Sequence, residues 1–382
     1  MAVARASRSL WGDRRLRAVL LQLAVVGAIV ALAAYLIHNT LINMARAGIA
    51  TGFSYLGREA SFEIGETLIR YAPTDSYGRA LLVGLLNTLL VAALGIVLAT
   101  MLGTAIGIAR LARNWLVRKL ALTYVEALRN VPLLLQLIVW WDLLRVSAPP
   151  PREAWQPLPG VFISVRGIAF PAPVWSPVYG EMLVALIAGL ILGAVILRWN
   201  RARAPASWLA AGVVLFLPFA VFVAGGAPLA MDWPVLRAFN FGGGVSLSPE
   251  FAALLFGLTA YTAAFIAEIV RSGIEGVSAG QSEAALALGL RRGQVLRLVV
   301  LPQALRIIVP PMLSEYLALT KNSSLAIAIG YPELMSITNT TLNQTGQAVE
   351  AISLMMAIYL AISLATSLAM NWYNGRIALV ER

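Results

Sequence analysis

Charged and amide side chains set inside apolar stretches mark the places where this sequence could do chemistry. Glu126 and Arg129 lie three residues apart, a spacing that puts both on one helix face and lets them pair, and Asn130 and Gln136 follow in the same run. Asn87 and Thr88 interrupt an earlier apolar run, while Tyr261 and Glu268 mark a later one, with Thr259 and Thr262 alongside. Glu268 also stands three residues before Arg271, a second candidate pair. Glu315 precedes the stretch TKNSSL, which holds Lys321, Asn322, Ser323 and Ser324 and comes after Pro310 and Pro311. Such groups are costly in hydrocarbon unless they pair or face a cavity. Both charge signs beside amides suit a solute that carries a carboxylate and an ammonium. The same pairs also suit a purely structural role. The two prolines and the small polar residues after them predict a broken helix, which is tolerated at membrane depth where it lines a cavity.

Other chemistries are excluded by what is missing. There is no cysteine, so disulfides, thiolate metal sites and cysteine nucleophiles are ruled out. The single histidine, His38, has no partner cluster and reads as an interfacial residue, so no metal ligand set is expected. Lys119 and Lys321 are the only lysines, and neither follows the glycine spacing of a phosphate-binding loop. No hydrolase elbow or zinc-protease spacing occurs. The expectation is a chain that is not an enzyme, holds no cofactor, and moves or anchors something.

The elements that must position these residues follow from composition. Hydrophobic residues make up 59% of the 382 and charged residues 12%, against about 25% charged in a soluble domain. Apolar runs cover 18–37, 80–108, 120–144, 181–197, 207–224, 251–270, 307–330 and 351–373. A helix needs about 20 apolar residues to cross a bilayer. Spanning backbone must satisfy its own hydrogen bonds, and continuous rather than alternating hydrophobicity selects helices over a barrel. The expected fold is an all-α integral membrane protein with about eight transmembrane helices. The first run follows five arginines as a secretion signal would, but exceeds the usual apolar core of about 7–15 residues and reads as an uncleaved span.

Charge orients these spans. With both termini cytoplasmic, inside segments hold 19 basic residues and outside segments 7, the bias expected of cytoplasmic flanks. The net charge of +11 is thereby assigned to membrane flanks, with no nucleic-acid role. In the segment 146–180, SAPPPREAWQPLPG and FPAPVWSP interleave proline with Trp155, Trp175 and Phe170. Proline favours stiff, extended connections, which here could receive a partner or lie on the membrane surface.

One inside loop, 276–306, is too polar to span. Ser278 and Gln281 fit a capping box, Ala284, Ala285, Leu286 and Ala287 favour helix, and Gly289 suits a left-handed stop. Glu283 falls in the first turn, where negative charge suits the helix dipole. The predicted helix of about ten residues, roughly 15 Å long, is marginal by itself in water. It lacks the large apolar face of a lipid-surface anchor. Docking onto a cytoplasmic partner fits it better.

The same residues carry a family resemblance. Glu283-Ala284-Ala285, three residues, Gly289, nine residues and Val299-Val300-Leu301-Pro302 resemble the EAA loop of ATP-binding-cassette importer permeases, with Val299 in place of isoleucine. GLLNTLLVAALGIVLATMLGTAIGIARLARN, YVEALRNVPLLLQLIVWW, AYTAAFIAEIVRSGIEGV and LPQALRIIVPPMLSEYLALTKNSSLAIAIGYPEL are similar to the core of the polar amino-acid permease family. The N-terminal region and the inserted spans resemble the larger permease subunit of bacterial general L-amino acid systems. Asn322 stands where that family usually has aspartate, which puts any carboxylate role there in doubt.

The resemblance implies a type I importer permease core, MetI-like, with extra N-terminal and inserted spans. Residues 1–79 would form a tail, first span and periplasmic segment, and 80–145 the first part of the core. Residues 146–250 would form the proline-rich loop with an inserted pair of spans, and 251–382 the rest of the core with the coupling loop. It further implies a bacterial inner membrane, a second similar permease, ATPase subunits that bind ATP and magnesium, a periplasmic amino-acid-binding protein and an L-amino acid substrate. Ser278, Gln281, Glu283, Ala284, Ala285, Gly289 and Pro302 would dock the ATPase. A secondary amino-acid transporter, or a membrane anchor for a binding protein, is the competing expectation, though no cluster of intramembrane acids is present for a coupling ion.

Overall fold

The computed structural model describes residues 14–46, 48, 51–199, 204–227 and 229–377. In chain order the helices are α1 (Arg14–Arg46), α2 (Tyr77–Ala109), α3 (Trp115–Asn130), α4 (Leu133–Arg145), α5 (Pro177–Trp199) and α6 (Ala204–Ala224). They continue with α7 (Pro249–Glu275), α8 (Ala279–Ala287), α9 (Arg292–Val295), α10 (Leu301–Asn322), α11 (Leu334–Thr345) and α12 (Ala348–Ile377). Among the described residues six helical stretches are long and apolar enough to cross a membrane, or seven if the bent pair α3–α4 is one span. α6, apolar along its sequence, has 21 residues, about the length a span needs.

The expected straight span over 120–144 is instead two helices bent by 104°. Pro132 supplies the reason: it has no N–H to donate, and it disfavours helical backbone at Val131, which is extended at φ −98°, ψ 128°. The buried Gln136 then fastens the bend. Its Nε2 donates to the carbonyls of Leu128 at 2.8 Å and Val131 at 2.9 Å. Gln136→Leu keeps the size but leaves those carbonyls without that donor, so it is expected to cost about 1–3 kcal/mol. A lower thermal midpoint of the detergent-solubilised protein would register this, and an unchanged one would show that the bend needs no fastening.

Pro310 and Pro311, expected to break their helix, lie inside the continuous α10. Their fixed φ is helical, so each removes one backbone bond without stopping the chain. Packing of Ile308 and Met312 into the core shared with Val270 holds the helix through them. The change of winding comes later, where Ser323–Ile329 tightens into a 3₁₀ helix that ends at Gly330 with φ +78°.

The segment expected to be stiff, extended connection carries short strands. Trp155–Leu158, Val161–Ser164, Gly167–Phe170 and Val245–Leu247 form a four-stranded antiparallel sheet. Its proline signals mark turns and strand edges, which is where proline is admitted in sheets. Phe162 stacks on Phe241 with ring centroids 4.5 Å apart.

The chain divides into two compact units. One draws on residues 1–87 and 332–368, and its core gathers Tyr55, Tyr77, Leu81, Leu334 and Ile337. The buried Glu333 caps α11 there, accepting from the Met335 and Ser336 N–H groups at 2.8 Å. Tyr359 donates to the same carboxylate at 3.0 Å. The other unit draws on residues 88–331 and 369–382, with α7 as its most buried helix. There Gly103 and Gly107 bring the end of α2 directly against Ala263, Ile266, Ala267 and Val270 of α7. This small-xxx-small spacing, a common device for close helix contact in membranes, went unread in the sequence.

Candidate functional site

The short helix expected in the loop 276–306 forms. α8 runs for nine residues, Ala279–Ala287, and Glu283, Ala284 and Leu286 on it are exposed. Ala285 is buried and turns the opposite face inward. Gly289 follows at φ +82°, and the stop is completed by its N–H donating to Leu286 O at 2.9 Å and Leu290 N–H donating to Ala285 O at 3.2 Å. The capping box is not formed. Ser278 makes no side-chain cap, and the Gln281 N–H goes to the Ser278 carbonyl at 3.0 Å. Only the return half of such a box forms, one helix later, where Gln294 Oε1 accepts from the Arg291 N–H at 2.9 Å; the Arg291 guanidinium has no acceptor to complete it. Beyond it α9 passes through a π-turn, Leu296–Val300, into α10, with Pro302 exposed in the first turn. Leu288, at the tip, is 84% exposed.

A second group lies where the α3–α4 bend meets α7 and α10. The Arg129 guanidinium sits 5.0 Å from the Phe265 ring centre, a cation–π arrangement, and Tyr261 packs on Phe265 at 4.9 Å. Glu315, half-buried on α10, is within electrostatic reach of Arg129. The expected Glu126–Arg129 pair does not form: Glu126 is exposed, and Arg129 turns to the aromatic face instead. Gln136 on α4 is buried and Thr259 on α7 half-buried, each with one buried side-chain oxygen unbonded. Opposite charges and two aromatic rings thus come together from α3, α7 and α10. Phe265 was missed because only its spacing of four from Tyr261 hinted at it.

Glu268 pairs with Arg271 as expected and also with Arg110, at the end of α2, and Arg271 reaches on to Glu275. Arg110 was missed. It is the first basic residue after the second span, and nothing local in the sequence ties it to Glu268. On α3, Tyr124 donates to Ala260 O at 2.8 Å, which holds α3 on α7.

Other expected path residues are engaged elsewhere. Asn87 is buried, and its Nδ2 donates at 2.9 Å to both Glu66 O and Pro332 O. Thr88 is buried beside it in sequence. Ser323 and Ser324 fold their hydroxyls back onto Thr320 O at 2.7 Å and Lys321 O at 2.8 Å, while Lys321 is exposed and Asn322 half-buried. An apolar cavity of about 320 Å³ lies between α2, α7 and α10. Thr100 and Tyr316, joined there at 2.8 Å, are its polar edge. Among the described residues no group of acidic, histidine or cysteine side chains could hold a metal ion.

These features match a known family. Residues 95–379 fit the model described as binding-protein-dependent transport system inner membrane component. The chain belongs to that family. This permease is 47% identical over 382 residues to the general L-amino acid transport system permease protein AapQ of Rhizobium johnstonii, covering 98% of this chain and 96% of that one. It is 41% identical to the glutamate/glutamine/aspartate/asparagine transport system permease protein BztB of Rhodobacter capsulatus, over 97% of this chain and 96% of that one. The permease is therefore a multi-pass inner-membrane subunit of an ATP-binding-cassette importer.

Proposed function

We propose that this permease imports L-amino acids from periplasm to cytoplasm, coupled through α8 to a separate ATPase that binds ATP and magnesium. The observation that carries this reading is α8 itself. It is a short exposed helix with a small-residue face, ended by a left-handed glycine, on a chain without a phosphate-binding loop. A helix this short is stable only when packed, and a partner's groove supplies that packing. Similarity over nearly the whole length to a general L-amino acid permease supports the substrate class. The assembly would hold a second permease of this family, ATPase subunits and a periplasmic amino-acid-binding protein, with both termini of this chain cytoplasmic.

Within the permease the substrate path is assigned to the face where Arg129, Tyr261, Phe265 and Glu315 gather, since an amino acid brings one carboxylate and one ammonium. Reconstituted in vesicles with its partners, wild type is expected to take up labelled amino acids only with ATP inside the accessible compartment. Glu283→Arg should abolish uptake and release the ATPase. Arg129→Ala should leave the ATPase bound but lower uptake at least tenfold, a loss expected when one charged hydrogen-bond partner is removed. Uptake by Glu283→Arg at the wild-type rate would sink the docking role, and full uptake by Arg129→Ala would remove the path assignment alone.

A further inference from the structure

We infer that the basic cavity at the root of the coupling loop binds the phosphate headgroup of an anionic phospholipid. The cavity, about 280 Å³, is lined by Arg110, Trp115, Arg118, Lys119, Leu122, Arg271 and Glu275. Four of these side chains are cationic and one is acidic. Arg271 and Glu275 hold each other, and Glu268 holds both Arg110 and Arg271. These contacts fix two guanidiniums in the wall before any ligand arrives. Arg118 and Lys119 are exposed and make no side-chain hydrogen bond or ion pair among the described residues. The positive charge of the wall thus exceeds what its own acids neutralise.

The position selects the source of the phosphate. Arg110 directly follows the 33-residue apolar α2, so it sits at a span's end rather than within the hydrocarbon. Arg271 and Glu275 occupy the last turns of α7, just before the loop that leads to α8. Trp115, 65% exposed, and Leu116 and Leu120, both exposed, open the amphipathic α3 beside the basic groups. Tryptophan at a span end favours the headgroup level, and apolar side chains flanking a basic pocket give the acyl chains a surface. Basic pockets between span ends are a recurrent way to hold anionic headgroups. A soluble phosphate would use the cations but have no use for the apolar rim.

The test measures binding and does not depend on α8 docking an ATPase. The purified full complex is exchanged into mixed micelles holding phosphatidylglycerol and phosphatidylcholine in equal amounts, and retained lipids are counted by native mass spectrometry. Wild type should retain phosphatidylglycerol preferentially. Arg118→Ala with Lys119→Ala should weaken that preference about tenfold, while Arg118→Lys with Lys119→Arg should keep it. Both positions are exposed and unpaired, so the fold should survive, as circular dichroism can verify. Four results would overturn the inference. One is equal retention of the two lipids by wild type, and another is a preference that the alanine pair leaves unchanged. The third is displacement of the lipid by millimolar inorganic phosphate, which marks a free-anion site. Release of the ATPase by the alanine pair with lipid retention intact would reassign the cavity to protein docking, and so also counts against it.

Discussion

Gly289→Val is expected to uncouple the permease from its ATPase without unfolding it. Gly289 holds φ +82°, and a Cβ added there would meet nothing within 4 Å. The penalty is therefore one of backbone conformation, not of crowding. A non-glycine residue held in a sparsely populated region costs about 1–3 kcal/mol, and a β-branched one is the least tolerant. The chain can escape that cost by unwinding the end of α8, where Gly289 and Leu290 close the helix on Leu286 and Ala285. Because α8 has only nine residues, losing its last turn removes a large part of the docking face. Recovery of the ATPase with the tagged permease should fall at least tenfold, in line with a strain of more than about 1.4 kcal/mol. Far-UV circular dichroism and the thermal midpoint should hardly move, since the loop lies outside the spans. Gly289→Asn is the control: asparagine visits the left-handed region routinely and should keep most of the coupling. Equal recovery for valine and asparagine would mean that the conformation at Gly289 is not what the partner reads.

The long apolar helices and the short helix of the loop 276–306 were legible in the sequence because each is a local pattern. Apolar runs located the long helices to within about ten residues, although among the described residues six or seven stretches, not the expected eight, are long and apolar enough to span, and alanines closed by Gly289 located α8. The failures came where distant residues decide. Ser278 and Gln281 have capping-box spacing, yet the Gln281 N–H finds the Ser278 carbonyl, and a capping motif read from spacing cannot foresee that competition. Glu126 and Arg129 have pairing geometry on an isolated helix. Once α7 packs against α3, Phe265 offers the guanidinium another partner. Arg110, on a different span, joins Glu268 through a tertiary contact invisible to any local window. The bend at Pro132 was in principle readable. A proline in the middle of an apolar run of 25 residues argues against one straight helix, and Gln136 four residues on is the group that fastens it. Pro310 and Pro311 carry the same local signal, but packing around Ile308 and Met312 keeps their helix continuous.

The contact between α2 and α7 predicts the largest loss of stability. A Cβ on Gly103 would lie 2.7 Å from Ile266 Cβ and Cγ2 and 2.8 Å from Ala263 O. A Cβ on Gly107 would lie 2.8 Å from both Ala267 O and Val270 Cβ. The obstructing atoms are backbone carbonyls and the branch points of buried side chains, so no flexible end can swing aside. The helices themselves must separate. Overpacking of a tight core typically costs about 1–3 kcal/mol and occasionally more, and a leucine at Gly103 adds its whole side chain beyond the atom that already clashes. Separation would also pull Arg110, three residues past Gly107, away from Glu268, leaving a half-buried carboxylate with one cation where it had two. Gly103→Leu is expected to lower the thermal midpoint by several degrees, given roughly 2–4 °C per kcal/mol for chains of this order of size, and to deplete the permease from the membrane fraction. Gly103→Ala should fall between it and wild type. Gly212→Ala, where an added Cβ meets nothing within 4 Å, should be neutral. Size-exclusion chromatography after graded heating ranks the four proteins. If Gly103→Leu elutes and melts as wild type does, α2 and α7 are not locked together by their glycines, and the Arg110–Glu268 pair must be held by something else.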